Sequence, residues 1–202
     1  MKKALLVAAM AMLAVAGTTQ AAGDAEAGKA KSAVCAACHG ADGNSGANPV
    51  WPKLAGQHPG YILKQLADFK ANKRSDAMMS PMAAPLSEAD MADLAAYFSS
   101  QKRTVGEAAA DKVAAGEQLY RAGNAANGVS ACTACHGPTG SGNPQANFPS
   151  IAGQGAAYTV KALKDFRAGS RNNDTGAMMQ DVASRLTDAE IEAVAQYVQG
   201  LH

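Results

Sequence analysis

The clearest helical pattern along the chain occurs twice, once near residue 95 and again near residue 195. In both stretches, apolar residues recur at positions i, i+3, i+4 and i+7, which places them on one face of an α-helix. They are Met91, Leu94, Ala95 and Phe98 in the first stretch, and Ile191, Val194, Ala195 and Val198 in the second. Helix-start signals precede both, namely Ser87 with Asp90 and Thr187 with Glu190, the second pair being a full capping box. The pattern therefore predicts two equivalent amphipathic helices.

Weaker helical patterns precede each of these helices. An apolar face follows Pro59 and Gly60, and a similar face lies about a hundred residues later. Its members are Ile62, Leu63, Leu66 and Phe69, with Val160, Leu163 and Phe166 as their counterparts. Short helices are also predicted over residues 28–34 and 116–121. Because no stretch alternates like a β-strand, the sequence predicts an all-α fold.

Many residues recur after a fixed interval of 97 positions, so the chain reads as one unit written twice. Pro-Lys-Leu-Ala-Gly-Gln at 52–57 matches Pro-Ser-Ile-Ala-Gly-Gln at 149–154, and Tyr61 matches Tyr158. Farther along, the interval becomes 100, because the second copy has three extra residues around 172–175. We expect these extra residues in a surface loop, where length changes are tolerated. The repeat predicts two tandem domains, at residues 22–103 and 104–202, joined through a polar, Ala-rich connection.

Residues 1–21 have the features of a secretory signal peptide. Lys2 and Lys3 precede an apolar run at 4–16, and small residues follow, so we expect cleavage before Ala22. The apolar run is shorter than the roughly 20 residues that a membrane span needs. The sequence thus predicts an exported protein, which in a bacterium means the periplasm.

Composition narrows the choice further. Without the signal segment, the basic and acidic residues nearly balance, which does not indicate the basic patch typical of nucleic-acid binding. Aromatic residues form only 5% of the chain, so each half would have difficulty building a core from side chains alone. A buried prosthetic group in each half would supply that missing apolar volume.

The candidate chemistry lies in a pentapeptide that occurs twice. Cys-Ala-Ala-Cys-His ends at His39 and Cys-Thr-Ala-Cys-His ends at His136, and together they use all four cysteines, Cys35, Cys38, Cys132 and Cys135. C-x-x-C-H is the attachment pattern of c-type haem. Two thiols at this spacing can bond the two vinyl groups of one porphyrin, and the histidine then binds the iron. The sequence predicts two covalently bound haem c groups.

Three other interpretations of the cysteines fit less well. A four-cysteine zinc site would not explain the histidine that directly follows each pair. A thioredoxin-like redox pair would be expected beside a βαβ pattern, which the sequence lacks. A disulfide between cysteines three positions apart closes a tight and strained loop.

The second ligand of each iron is less certain from the residues alone. His58 has no counterpart, since Gly155 stands at its position, and it is expected to be an exposed loop residue. Methionine pairs recur in both copies, as Met78-Met79 and Met178-Met179, in predicted loops before the last helix. Ligation by histidine and methionine is typical of electron-transfer haem. Spacing does not decide between the first and the second methionine of each pair.

With these motifs in tandem, the chain resembles the dihaem class I cytochromes c of the c4 type over essentially its whole mature length. The resemblance implies two class I cytochrome c-like domains, each wrapped around one haem. It also implies that Met79 and Met179 are the second ligands of the irons, opposite His39 and His136. In that family a proline carbonyl accepts the imidazole N–H of the haem histidine, a role that Pro52 and Pro149 match.

The resemblance further implies a function in electron transport rather than catalysis. The expected donor is a quinol-oxidising cytochrome complex of the membrane and the expected acceptor a terminal oxidase, with peripheral membrane contact left open. An alternative is the cytochrome subunit of a larger dehydrogenase, such as a flavin-dependent sulfide dehydrogenase. A dihaem peroxidase would need an iron with an open position.

Because the loop before Met79 is shorter than its counterpart, we expect different solvent exposure at the two irons, and hence different potentials.

Overall fold

The computed structural model describes residues 23–45 and 48–202, so the predicted signal segment lies outside the described residues. Within them the chain forms ten α-helices and no β-strand, apart from two isolated bridges. The helices are α1 (Ala25–Lys31), α2 (Ala33–His39), α3 (Pro59–Lys70), α4 (Met79–Ala83), α5 (Glu88–Ser100), α6 (Ala110–Ala122), α7 (Thr133–His136), α8 (Ala156–Arg167), α9 (Met178–Ser184) and α10 (Asp188–Gly200). The all-α prediction is confirmed. In this part of the chain, no helix has both the length and the hydropathy to cross a bilayer.

The helices form two units with the same plan, α1–α5 and α6–α10. In the first unit, α1 and α3 pack against α5, and in the second, α6 and α8 pack against α10. Each unit has its own apolar cluster, centred on the helix with the strongest predicted pattern. The first contains Ile62, Leu94, Ala95, Tyr97 and Phe98, and the second includes Leu119, Tyr120, Leu163, Ile191, Val194 and Val198.

The starts of α5 and α10 follow directly from their sequences. The Ser87 hydroxyl accepts a hydrogen bond from the amide of Asp90, whose carboxylate in turn accepts from the Ser87 amide. Thr187 and Glu190 form the same reciprocal pair. Both are complete capping boxes, which satisfy amides that the first turn of a helix leaves unpaired.

Two glycines allow the N-terminal helix of each unit to lie directly on its last helix. A Cβ atom on Gly28 would come within 2.0 Å of the Asp93 carbonyl oxygen, and one on Gly116 within 2.3 Å of the Ala193 carbonyl oxygen. These distances are far shorter than any real contact of a Cβ atom. The crossings α1·α5 and α6·α10 therefore need glycine at these positions.

The structure differs from the sequence-based prediction in two segments. The first short helix is broken at Ser32, so that the first cysteine motif lies on a helix of its own, α2. The methionine pairs, expected in loops, stand at the starts of the short helices α4 and α9. The Asp76 carboxylate accepts the amides of Met78 and Met79, which explains why the first of these helices begins there.

The connection between the units runs along the surface between them. Arg103 donates hydrogen bonds to carbonyl oxygens on both sides, at Ala55 and at Ala152. Burial lowers its pKa to about 10, so its guanidinium stays protonated at neutral pH. The division between residues 103 and 104 falls within this connection and stays a prediction.

Replacing Gly116 by Ala should destabilise the protein by about 1–3 kcal/mol, because the added methyl group would overlap the backbone of α10. The measurement is the midpoint of guanidinium unfolding, followed by circular dichroism. Gly60→Ala is the matched control, since nothing lies within 4 Å of a Cβ atom there. Equal midpoints for both variants and the wild-type protein would contradict the close crossing.

Candidate functional site

The first cysteine motif occupies one face of helix α2. Cys35 and Cys38 are three residues apart and His39 is four residues after Cys35, so the three side chains are neighbours on the helix surface. His39 is the last helical residue and is only 5% exposed. Gly40 follows with a φ of 78°, which ends the helix and turns the chain away. The motif thus presents two thiols beside a buried imidazole.

The second motif reaches the same arrangement from a different local structure. Cys132 is the N-cap residue of the short helix α7, which ends at His136, and Gly137 follows with a φ of 75°. His136 is 8% exposed. In the described part of the chain, the four motif cysteines form no disulfide. Burial raises the pKa of the Cys35 thiol and, more strongly, that of the Cys132 thiol, to about 11, so both sites are apolar surroundings suited to a porphyrin edge.

Each motif histidine has one ring nitrogen fixed by a proline carbonyl. Nδ1 of His39 lies 2.9 Å from the carbonyl oxygen of Pro52, and Nδ1 of His136 lies 3.0 Å from that of Pro149. Because a carbonyl oxygen can only accept, the proton must be on Nδ1. The lone pair of Nε2 then remains available to bind a metal ion.

The prolines are held in place by paired turns of the backbone. The carbonyl oxygen of Gly43 accepts the amides of Leu54 and Ala55, and that of Gly140 accepts the amides of Ile151 and Ala152. Both glycines have positive φ. A Cβ atom on Gly140 would also come within 2.8 Å of Leu201, so the loop packs closely against the end of α10.

The electrostatic surroundings keep both imidazoles neutral. Burial lowers the pKa of His39 and of His136, and the hydrogen bond to proline opposes this effect only in part. A neutral imidazole is the form that binds metal ions.

The two methionines of each pair differ in exposure. Met78 is 55% exposed and Met178 is 41% exposed, whereas Met79 and Met179 are half-buried. Met179 packs against the apolar cluster of its unit. The second methionine of each pair is therefore the one that turns inward.

These side chains fit covalently attached haem. Each unit offers two cysteines for the porphyrin, a neutral imidazole with Nε2 available, and an inward methionine. Imidazole with thioether is the ligand pair of electron-transfer cytochromes. Cys35, Cys38, His39 and Met79 would hold one group, and Cys132, Cys135, His136 and Met179 the other.

His58 has a different role from the exposed loop residue that was expected. Its Nε2 lies 2.8 Å from the carbonyl oxygen of Ser141 in the other unit, and the side chain is half-buried. It thus belongs to the contact between the units.

Sequence reasoning missed a pair of buried glutamines at this contact. The side-chain amide of Gln154 accepts from the Lys53 amide at 2.9 Å and donates to the Lys53 carbonyl oxygen at 3.0 Å. Gln57 makes the equivalent pair with the backbone of Ser150, at 2.9 and 2.8 Å. We call these the crossed glutamine pairs, because each glutamine binds the backbone of the other unit.

Two arginines form a second reciprocal contact. Arg74 lies over the ring of Phe69 and donates to the hydroxyl of Tyr158 at 3.4 Å. Arg171 lies over Phe166 and donates to the hydroxyl of Tyr61 at 2.8 Å. Like the glutamines, these arginines and tyrosines recur 97 positions apart. In the sequence, the signal that could have indicated this contact was the set of polar residues that recur at the interval of 97 positions.

One of the extra residues of the second copy, Asn173, also lies at the contact between the units. Asn173 donates to the carboxylate of Asp68 at 2.7 Å and to the side chain of Gln65 at 3.0 Å, and its carbonyl oxygen accepts from Lys64. The inserted residues do lie in a loop, as expected, and Asn173 is partly buried there by its contacts with the other unit. The insertion adds a contact that only one of the two units can make.

Comparisons with known proteins agree with this geometry. The cytochrome c family profile matches the chain twice, at residues 25–102 and 113–202. Cytochrome c4 of Pseudomonas aeruginosa is 51% identical, over 98% of both chains. The crystal structure of reduced recombinant cytochrome c4 from Pseudomonas stutzeri superposes with a TM-score of 0.86 at 51% identity, covering 90% of this chain and all of that one. A thiosulfate dehydrogenase electron acceptor of Thiomonas intermedia is 41% identical, over 83% of this chain and 78% of its own.

The difference between the methionines yields a prediction. Met79→Ala should remove the sulfur-to-iron charge-transfer absorption of one of two haems, halving its intensity, and should lower one potential, because methionine ligation raises it. Visible spectra of the oxidised protein and a redox titration measure both effects. Met78→Ala is the matched control and should leave both haems unchanged, since this side chain is exposed. The opposite result would make Met78 the ligand.

Proposed function

The chain belongs to the cytochrome c family as a dihaem protein of the cytochrome c4 type, and we propose that it carries electrons between redox proteins of the periplasm. It holds two covalently attached haem c groups, one in each unit. When bound, each group supplies a reversible one-electron couple. The observation that most supports the proposal is the arrangement found twice, in which a buried imidazole with a fixed Nδ1 proton shares a unit with an inward methionine.

The side chains of each unit do work suited to electron transfer. The thiols of Cys35, Cys38, Cys132 and Cys135 are placed to hold the groups covalently. The hydrogen bond that each imidazole donates to the carbonyl of Pro52 or Pro149 prevents the ring from rotating, so that little rearrangement accompanies a change of charge. Met79 and Met179 would occupy the remaining axial positions, which favours electron transfer over reaction with small molecules.

For the direction of electron flow, we propose a quinol-oxidising cytochrome complex as donor and a terminal oxidase as acceptor. Family resemblance supports this pair. The periplasm is the proposed site because residues 1–21 have a signal-peptide pattern and because covalent haem attachment occurs outside the cytoplasm.

Residues 22–103 carry one more basic than acidic side chain, whereas residues 104–202 carry two more acidic than basic side chains. Such an imbalance can orient weak and rapid docking. We therefore expect association with partners to weaken as ionic strength rises.

A second candidate function is electron acceptance from a sulfur-oxidising dehydrogenase. The relative from Thiomonas intermedia, named as a thiosulfate dehydrogenase electron acceptor, supports it. The flavin-dependent sulfide dehydrogenase considered from the sequence belongs to the same broad class of sulfur-oxidising partners. In a stable enzyme complex the cytochrome would elute with its partner on size exclusion, whereas a shuttle would elute alone.

Stopped-flow mixing distinguishes these functions. When the protein is mixed with a purified quinol-oxidising complex and quinol, we expect both haems to be reduced at about 1–10³ s⁻¹. When the reduced protein is mixed with a terminal oxidase, we expect both haems to be reoxidised in the same range. Both rates should fall as salt is added. Parallel mixing with a thiosulfate dehydrogenase and thiosulfate provides the comparison. If only that enzyme reduces the protein, the second function replaces the first, and if neither does, the shuttle proposal fails.

A further inference from the structure

Each crossed glutamine binds the same backbone peptide group as a haem histidine. The Lys53 amide that binds Gln154 belongs to the same peptide group as the Pro52 carbonyl that binds His39. In the other direction, the Ser150 amide that binds Gln57 shares its peptide group with the Pro149 carbonyl that binds His136. Each imidazole is thus connected, through a single peptide group, to a side chain of the opposite unit.

Both glutamines are fixed well enough to act on that peptide group. Gln57 is 7% exposed and Gln154 is 6% exposed. The side-chain oxygen of each also accepts the next amide of its own chain, from His58 and from Gly155, at 2.9 Å. The side-chain nitrogen donates back to the carbonyl of the partner residue. The position of each glutamine side chain is therefore fixed by backbone groups, and it depends on the two units being docked.

Hydrogen bonds in a chain polarise one another. When a peptide N–H donates to an acceptor, the carbonyl oxygen of the same peptide group becomes a stronger acceptor, by about 10–30% per bond in condensed phase. A stronger acceptor on Nδ1–H makes the imidazole a more basic ligand. A more basic ligand stabilises the oxidised iron and lowers its potential.

We propose that Gln154 lowers the potential of the haem held by His39, and that Gln57 lowers the potential of the haem held by His136. Both are positioning residues that act across the contact between the units, each on the haem of the other unit. The effect depends on docking, so separation of the units would raise both potentials. This inference rests on the proposed function, in that it takes His39 and His136 as the iron ligands.

The test uses the full-length holoprotein with Gln154→Met and Gln57→Met. Methionine keeps the length and bulk of glutamine and lacks its hydrogen bonds. Each potential is followed through the haem methyl resonances of its own unit during a redox titration. We expect Gln154→Met to shift the potential of the first haem upward and to move the second much less. Gln57→Met should do the reverse.

His58→Ala is the matched control. It removes another hydrogen bond between the units, to the Ser141 carbonyl, which does not pass through either proline peptide. We expect it to leave both potentials at their wild-type values. A glutamine variant that shifts its own unit's haem, shifts both haems equally, or shifts neither would overturn the proposal.

A second readout records the hydrogen bond itself. In the reduced protein, the Nδ1 proton resonance of His39 should move toward the position of a weaker hydrogen bond in Gln154→Met, while that of His136 stays in place. A merely structural role would not move one proton selectively. Because the glutamines are equivalent, either variant alone decides the question if the other does not fold.

The outcome is separable from that of the proposed function. Crossed shifts in a protein that no partner reduces would support the inference and count against the shuttle. Normal electron transfer, together with glutamine variants that do not shift the haem of the opposite unit, would support the shuttle and count against the inference.

Discussion

The hydrogen bond from the histidine of each cysteine motif to a proline carbonyl is the interaction on which the rest of this structure depends. It fixes the proton on Nδ1 of His39 and His136, and so leaves Nε2 as the only nitrogen that can bind iron. For the carbonyl to be in place, the chain after each motif must fold back onto the glycine carbonyls that hold it. That fold in turn packs on the last helix of its unit, since Gly43 lies against Phe98 of α5 and Gly140 against Leu201 at the end of α10.

The same short segment serves two purposes in each half of the chain. Its proline faces the histidine of its own unit, and its glutamine, five residues later, binds the backbone of the other unit. Duplication of such a segment is enough to produce a reciprocal contact, because each copy contains both the glutamine and the backbone groups that the glutamine of the other copy binds. Arg74 with Tyr158 and Arg171 with Tyr61 follow the same logic. Because the contact lies beside the proposed iron ligands, docking of the units and the hydrogen bonds of His39 and His136 involve the same two peptide groups.

How much of this the sequence could predict depends on the range of the interactions. The helices α5 and α10 and the all-α class follow from apolar periodicity and caps, which are local features. The cysteine motifs and the repeat point to two haems because the spacing itself carries the chemistry. The short helices at the methionine pairs did not emerge, since they begin where the carboxylates of Asp76 and Asp174 accept backbone amides. The break at Ser32 did not emerge either, and there the Ser32 hydroxyl donates to the Lys29 carbonyl oxygen. The pairing of Gln57 and Gln154 with the opposite backbone is visible only once the two units are seen together. The interval of 97 marked both residues as a repeated pair without indicating what they bind.

A perfectly duplicated chain would give two equal haem environments, so any difference between the potentials must come from residues that break the repeat. The structure places several such residues at the contact between the units. Ser150 stands where the first copy has Lys53, and the Ser150 carbonyl accepts a second donor, Arg103, at 3.1 Å. Asn173, from the inserted segment, reaches Asp68 and Gln65, while the first copy has no equivalent reach. Each asymmetric contact adds charge or a hydrogen bond on one side only. Because the proposed iron ligands are the same in the two units, asymmetry at this surface is one physical source of unequal potentials.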